Sequence, residues 1–413
     1  MADAPPDRLL SVDEHRDRIL ASIRSLTDFP QPLMEALGLP LVEDVVAEVA
    51  LPSFDNSAMD GYAVRHADVA AAGEGSPVHL PVVGEIGAGQ GGPTQLAPGT
   101  AAKIMTGAPV PAGADSVVPY EWTDRGAETV RIDRAPAPGQ HIRPEGDDVA
   151  VGDVLVSAGT VLGPRHLGLI AAAGRATVRA RPRPRVVVLS TGSELRDPGS
   201  ALDADSIYDG NSFLLAAAAR RAGAIVYRVG IVPDHPGEFL DALEDQLSRA
   251  DLVVTSGGVS QGDFDVVKAA LAPLGVWFGG IRMQPGKPQG FGHVGERQIP
   301  IFTLPGNPVS SYVSFEQFVL PAIRKMMGRT PYVRPTVAAR LTRAISSPEG
   351  RRQMVRAEVG VDASGVYAAP VGGHGSHLIG DLASSNALVV VPDDVTEVAA
   401  GEQVQVLRLD EEF

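Results

Sequence analysis

The stretch DLVVTSGGVSQGDFDVVK, residues 251–268, constrains the fold of this chain more than any other. Residues 252–255 are apolar or β-branched, a run short enough for a buried parallel strand. Ser256, Gly257 and Gly258 follow, able to turn sharply and bring bare backbone N–H groups against a ligand. Residues 266–271 then read as the start of a helix, with Asp263 and Asp265 near its N-terminus. Strand, glycine turn and helix in succession mark the place where an open α/β sheet seats its ligand. Amides at a helix N-terminus favour an oxyanion such as phosphate. Two carboxylates beside it oppose one. A divalent cation resolves the conflict, because Mg²⁺ takes carboxylate and phosphate oxygens together. Taken alone, the stretch is equally compatible with a plain strand–turn–helix capped by acids.

At 413 residues the chain exceeds one ordinary core, so two to four domains are expected. It has no cysteine, which excludes disulfides, thiolate zinc sites and thiol nucleophiles. No apolar run approaches the roughly 18 residues of a membrane span, and MADAPPDRLLSVDEHRDRIL lacks a signal peptide's basic start and apolar middle. A cytoplasmic location is therefore expected. A net charge of −15 argues against nucleic acid as a partner. An anionic ligand needs local positive charge or metal to offset that field.

Residues 8–28 place Leu9, Val12, His15, Ile19 and Ile23 near helical spacing, predicting a surface amphipathic helix before Pro30. PSFDNSAMDGYA, 52–63, packs Asp55, Asn56, Ser57 and Asp60 into six positions, a loop or a polar cleft lining. Short β-type runs at 78–86, 100–105, 116–120 and 129–132, separated by Gly/Pro turns, predict an all-β insert. Within it, Thr106 and Gly107 form a turn that can show a hydroxyl and amides to a ligand, or serve only as a turn. Asp147 and Asp148 are candidates for a metal site or a solvated turn. Residues 164–174 read as a helix with Pro164 in its first turn and Gly174 as its stop.

From Arg183–Pro184 the texture becomes regular βα alternation. Asn211 or Ser212 is the expected cap of a helix running to Arg221. Four strand ends, at 190–194, 231–234, 256–265 and 304–310, present small or acidic residues, which predicts one shared ligand crevice. Residues 335–413 return to β runs and enclose the glycine-rich segment PVGGHGSHLIGDLASSNAL, where Ser376 can clamp a ligand. No HExxH pairing, Walker A loop or Rossmann glycine signature is present. What remains is carboxylates, glycine turns and a few cations, Lys287, Arg282, Arg352 and Arg356. That inventory suits metal-assisted chemistry at a phosphate.

PSFDNSAMDGYA, KIMTGAPVPAGAD, STGSEL, SGGVSQGDFD, PGKP, LPGNPVS and GSHL…SSNAL occur in that order across nearly the whole chain. The series resembles the molybdopterin molybdenumtransferase family, the MoeA-type and gephyrin E-domain-like enzymes. The resemblance implies insertion of molybdate into adenylylated molybdopterin, releasing AMP, with Mg²⁺. It implies a multidomain fold: a central doubly wound α/β domain resembling molybdopterin adenylyltransferase, an inserted β domain and a C-terminal β domain. The expected division is 8–60 with 141–182 as an N-terminal linker and dimerisation domain, 61–140 as the β insert, 183–330 for molybdopterin binding, and 331–413. By position, the implied catalytic residues are Asp55, Asp60, Glu194, Asp234, Asp265 and Lys287. Thr106, Ser256, Gly257, Gly258, Ser260, Pro305, Gly306, Asn307, Ser310, Arg356 and Ser376 are implied to bind substrate, and Glu194, Asp234, Asp265 and Asp147 to hold metal. A homodimer is implied, with molybdopterin adenylyltransferase and molybdoenzymes as possible further partners. Gln284 stands where many relatives carry a lysine, three positions before Lys287. An adenylyltransferase-like enzyme and a non-catalytic pterin carrier are the competing readings.

Overall fold

The computed structural model describes residues 9–89, 92, 94–258 and 265–413. Ser260, Asp263 and Phe264 lie outside the described residues. The chain forms two compact units, one comprising the residues up to Pro30 with Gly38–Val42 and Arg179–Phe413, the other Gln31–Leu37 with Glu43–Val178.

The larger unit is built on a six-stranded sheet. Ile225–Val232, Arg185–Thr191, Leu252–Ser256 and Ile299–Leu304 run parallel in that spatial order. Pro288–Val294 and Trp277–Gly280 extend it antiparallel. The strands bury both faces, so their residues alternate between two cores. Val186, Val188, Leu252, Val254, Phe302 and Leu304 face one core with the helices Asn211–Arg221 and Leu320–Met327. Val187, Leu189, Val253 and Ile301 face the other, against Pro236–Leu247 and Val266–Leu271. Helices on both faces of a mostly parallel sheet make the doubly wound arrangement expected, with all four parallel C-terminal ends on one edge.

The same unit holds a second six-stranded sheet of Met283–Gln284, Arg352–Asp362, Gly365–Pro370, Thr336–Leu341, Gln403–Arg408 and Ala387–Val391. Arg352–Asp362 also pairs with Ala387–Val391, which closes the sheet on itself around Leu341, Ala357, Val389 and Val406. Met283–Gln284 comes from the α/β segment of sequence yet hydrogen-bonds here, with Gln284 in register beside Gln353. The N-terminal helix is Val12–Ser22, opened by a capping box in which Ser11 and Glu14 bond each other's backbone amides. It is shorter than the 8–28 pattern, and His15, Ile19 and Ile23 are buried rather than lying on a surface. It stops because the following backbone turns to other partners: Ile23 is extended and the Leu26 amide donates to the Met326 carbonyl at 2.8 Å.

The smaller unit carries a five-stranded sheet in the order Ser116–Pro119, Gly61–Val64, Ala101–Ile104, Val78–Ile86, Thr129–Ile132. Four of these strands coincide closely with the runs read from sequence between 78 and 132, whereas Gly61–Val64, partly inside the segment read as a loop, pairs between Ser116–Pro119 and Ala101–Ile104. Tyr62, fully buried, anchors one face and donates its hydroxyl to the Gly126 carbonyl at 2.8 Å. Pro164–Ala172 forms the expected Pro-initiated helix. No helix among the described residues is long and apolar enough to cross a membrane.

Candidate active site

The C-terminal edge of the parallel strands opens into a cavity of about 350 Å³. Its wall takes Ser190, Thr191, Glu194 and Leu195 from the end of one strand, and Ser256 and Gly257 from the next. Gly306, Asn307 and Pro308 come from the turn after Ile299–Leu304. Asp209, Gly210 and Asn211 come from the turn before the helix Asn211–Arg221, and His377 and Ile379 from the glycine-rich C-terminal segment.

Side-chain amides tie these turns together. Asn211 Nδ2 donates to Ser256 Oγ at 2.8 Å and to the Gly306 carbonyl at 2.6 Å. Asn307 Nδ2 donates to Ser376 Oγ at 2.9 Å, and the Val309 amide donates to the Ser376 carbonyl at 3.0 Å. Gly257 (φ +93) and Gly258 (φ +69) occupy the left-handed region. A Cβ on Gly257 would lie 2.9 Å from the Thr191 carbonyl oxygen, and one on Gly258 2.5 Å from Val267 Cγ2. The turn is therefore closed to any side chain, and its backbone faces what enters. The helices starting at Asn211 and Pro308 both contribute their first residues to the wall, so two positive helix ends meet there.

Acids stand among these amides. Glu194 lies in the wall, and Asp234 Oδ2 accepts the amide of the adjacent Ser193 at 2.8 Å, joining two predicted acids through one turn. Asp265 heads the helix Val266–Leu271 with both carboxylate oxygens buried and, among the described residues, with no hydrogen bond beyond the pull of the Lys268 amide. Burial pushes its carboxyl above the usual carboxylate range, against the Lys268 amide and charge. Asp265 and Asp234 stand outside the cavity wall. Among the described residues, no three His, Asp or Glu side chains gather as a ready cation cage, so Glu194, Asp234 and Asp265 are not preassembled as one.

Lys287 is likewise absent from the wall. The pairing of Met283–Gln284 with the C-terminal sheet draws its loop there, and the Ile281 amide donates to the Lys287 carbonyl at 2.8 Å. Arg356, 4% exposed, spends Nη1 on the Gly375 carbonyl at 3.0 Å and Nη2 on the Gly373 carbonyl. Its part is to hold the glycine loop that carries Ser376, and burial pushes its guanidinium pKa down. Pro305 accepts the Ser311 hydroxyl through its carbonyl, and Ser310 is buried in the following turn.

In the smaller unit, Asp60 Oδ1 accepts both the Thr106 amide at 2.7 Å and the Thr106 hydroxyl at 2.8 Å. The amide bond first, then the hydroxyl, hold its carboxyl below the usual range. Asp55 Oδ1 accepts the Glu145 amide at 2.7 Å, tying the PSFDNS segment to the turn that bears Asp147, which is exposed. Two of the implied residues, Asp60 and Thr106, are thus direct partners.

Residues 10–174 match the MoeA N-terminal region (domain I and II), 187–325 the probable molybdopterin binding domain, and 338–409 the MoeA C-terminal region (domain IV). Molybdopterin molybdenumtransferase 2 of Mycobacterium tuberculosis is 47% identical over 97% of this chain and 99% of its own length. The chain belongs to the molybdopterin molybdenumtransferase family. The Haemophilus influenzae molybdopterin molybdenumtransferase is 36% identical over 96% of this chain and 98% of its own. A crystal structure of the molybdopterin biosynthesis MoeA protein of Pyrococcus horikoshii superposes with a TM-score of 0.82 at 30% identity, covering 98% of this chain and all of that one.

In this molybdenumtransferase-family chain the wall contains residues that sequence reasoning passed over. Asp209 is 1% exposed, and its Oδ1 accepts the Ser190 hydroxyl at 3.1 Å and the Ser212 amide at 3.0 Å. Its Oδ2 makes no hydrogen bond and lies 4.0 Å from Arg228. Asp209, not Asn211 or Ser212, therefore satisfies the helix's free amide, which releases the Asn211 side chain to bridge two ligand turns. The acid–Gly–Asn spacing of residues 209–211 at the end of a short strand was the available signal. Thr191 also lines the cavity, and its buried hydroxyl has no hydrogen-bond partner among the described residues.

Proposed function

We propose that this chain inserts molybdenum from molybdate into adenylylated molybdopterin, with release of AMP. The observation that carries this reading is the cavity itself. It joins two helix N-termini and the Gly257 and Gly306 turns, which attract phosphate and other oxyanions, to the carboxylates of Glu194 and Asp209. The Asn211 and Asn307 amides hold the turns in place before a ligand arrives, so little ordering is left for binding to do. The unpartnered Thr191 hydroxyl supplies a further ligand contact. Asp209 and Glu194 disfavour an anion that brings no cation.

Mg²⁺ fits this donor set. Asp265 has two buried carboxylate oxygens with unfilled acceptor capacity among the described residues, and Glu194 and Asp234 add hard oxygen donors on neighbouring turns. Among the described residues no three-acid group is preformed, which suits a cation that keeps water and is held by one or two carboxylates plus substrate phosphate. When bound, Mg²⁺ would neutralise charge on the phosphate oxygens of the substrate. We further infer a homodimer in the cytoplasm, in keeping with the family.

The test supplies adenylylated molybdopterin, Mg²⁺ and molybdate to the purified full chain and follows AMP. Release that requires molybdate supports the reading. A folded protein that releases none, or one that forms adenylylated product from ATP without molybdate, overturns it.

A further inference from the structure

A second concave site lies in the larger unit, formed around Tyr312, Glu316, Arg324, Arg329, Arg334 and Phe413. None of these residues belongs to the cavity described above. Four arginines line it; Arg221 pairs with Asp410 at 3.4 Å, and hydrogen bonds divide the other three by role. Arg334 is engaged through two nitrogens: Nε donates to Glu316 Oε2 at 2.9 Å, and Nη1 to the carbonyls of Arg408 at 2.9 Å and Glu411 at 2.7 Å. It fastens the end of the last strand to the helical segment that carries Glu316.

Arg324 is 3% exposed, and its Nε donates to the Pro331 carbonyl at 2.7 Å. Among the described residues its buried Nη2 has no hydrogen-bond partner, and neither has the buried Nε of Arg329. The carboxylate nearest Arg329 is Glu412 at 3.9 Å, beyond hydrogen-bond reach and on a side chain 88% exposed. The Phe413 ring covers the site, with its centroid 3.9 Å from the Arg324 guanidinium and 4.6 Å from that of Arg334. The ring face offsets part of the charge and keeps water away. The one carboxylate buried with them, Glu316, is already committed to Arg334. Burial first, then the charges of Arg329 and Arg334, push the Arg324 pKa down to about 10, so the group is still charged at neutral pH.

Guanidinium N–H groups left unpaired away from water are costly, and an acceptor carrying negative charge removes that cost. We propose that this pocket binds a small oxyanion, a phosphate or carboxylate group, on Arg324 and Arg329 beneath Phe413. An anion with two oxygens in one plane matches guanidinium donors. The space open to water centres is about 40 Å³, room for such a group. A nucleotide or pterin is too large. The site is thus separate in chemistry and in place from the ligand crevice.

The experiment titrates the full chain with sodium phosphate and, in a parallel arm, sodium acetate, holding ionic strength constant with sodium chloride. Thermal unfolding and calorimetric binding are read together. The wild type is expected to gain a saturable rise in Tm with millimolar Kd in one or both arms. The arm that responds identifies the occupant. Arg329→Met is expected to weaken binding at least tenfold, and AMP release measured without added phosphate is expected to be unchanged. Should Arg329→Met fail to fold, Arg329→Lys, which keeps charge but lacks the Nε–H donor, is expected to weaken binding several-fold. A wild type that responds to neither anion beyond chloride, or a variant that responds as the wild type does, overturns the proposal. Neither reading depends on molybdenum transfer.

Discussion

Asn307 and Ser376 meet across 69 residues of sequence, the Asn307 amide donating to the Ser376 hydroxyl at 2.9 Å. This bond, with that of the Val309 amide to the Ser376 carbonyl, places the glycine-rich C-terminal loop at the start of the helix Pro308–Ser314. A neutral hydrogen bond contributes about 1 kcal/mol net. Ser376→Ala is therefore expected to raise KM for the pterin substrate about fivefold with little change in kcat. Combined with Asn307→Ala, the effects should fall short of additive by about 0.5–1.5 kcal/mol. Steady-state AMP release of the two single variants and the double variant measures this, and full additivity would show the two residues act independently.

Asp265 carries two buried carboxylate oxygens that, among the described residues, feel only the Lys268 amide and charge, an arrangement that lowers stability while leaving oxygen lone pairs for a cation. Asp265→Asn keeps the shape and removes the charge. It is expected to raise Tm or leave it unchanged while increasing the Mg²⁺ needed for half-maximal AMP release at least tenfold. A variant with unaltered Mg²⁺ dependence would remove Asp265 from the cation's ligands.

Glu316 and Arg334 form a buried ion pair at 2.9 Å, with side chains 5% and 8% exposed. Removing one partner strands the other charge, which costs about 3–5 kcal/mol. Glu316→Gln should lower the urea midpoint clearly. Glu316→Leu with Arg334→Met should cost less than the sum of the single changes, because no uncompensated charge remains. Chemical denaturation of the set decides between pairing and mere packing.

His15 sits between Trp277 and Phe318, with ring centroids 5.0 and 4.8 Å away. Its Nδ1 lacks a partner, and burial, then the Arg18 charge, lower its pKa to about 3. The folded chain keeps this ring neutral. Once unfolded, the ring takes a proton below its ordinary pKa of about 6.5. Stability is therefore full above that pH and declines as pH falls from 6.5 towards 3. At pH 5 the loss is about 2 kcal/mol, since each pH unit contributes about 1.4 kcal/mol. His15→Gln should flatten this part of the stability–pH curve, and an unchanged slope would exclude His15 as its source.

The acid-and-glycine turns were legible because their signals are local. LVVT before SGG, and IFTL before PGNP, announce strand ends whatever the rest of the chain does. Burial on both faces forces such strands into a sheet covered by helices. The β runs of the smaller unit were legible for the same reason. Asp209 was not, because the sequence offers Asn211 and Ser212 as equally good caps and cannot say which side chain is left free. The surroundings of Lys287 were not legible either. Its stiff PGKP loop reads as a ligand loop, yet two residues of backbone pairing at Met283–Gln284 attach it to another sheet.

Strand and helix periods, turn residues, lack of cysteine and the ordered series of loop motifs were thus determined by sequence alone, because each depends on neighbours a few positions away. Which loops touch was decided only by tertiary structure. The Asn211 bridge, the Ser376 latch and the arginine cluster under Phe413 join residues dozens of positions apart, up to 95 for Asn211 and Gly306. Those contacts come from the packing of whole sheets, whose register no local pattern encodes.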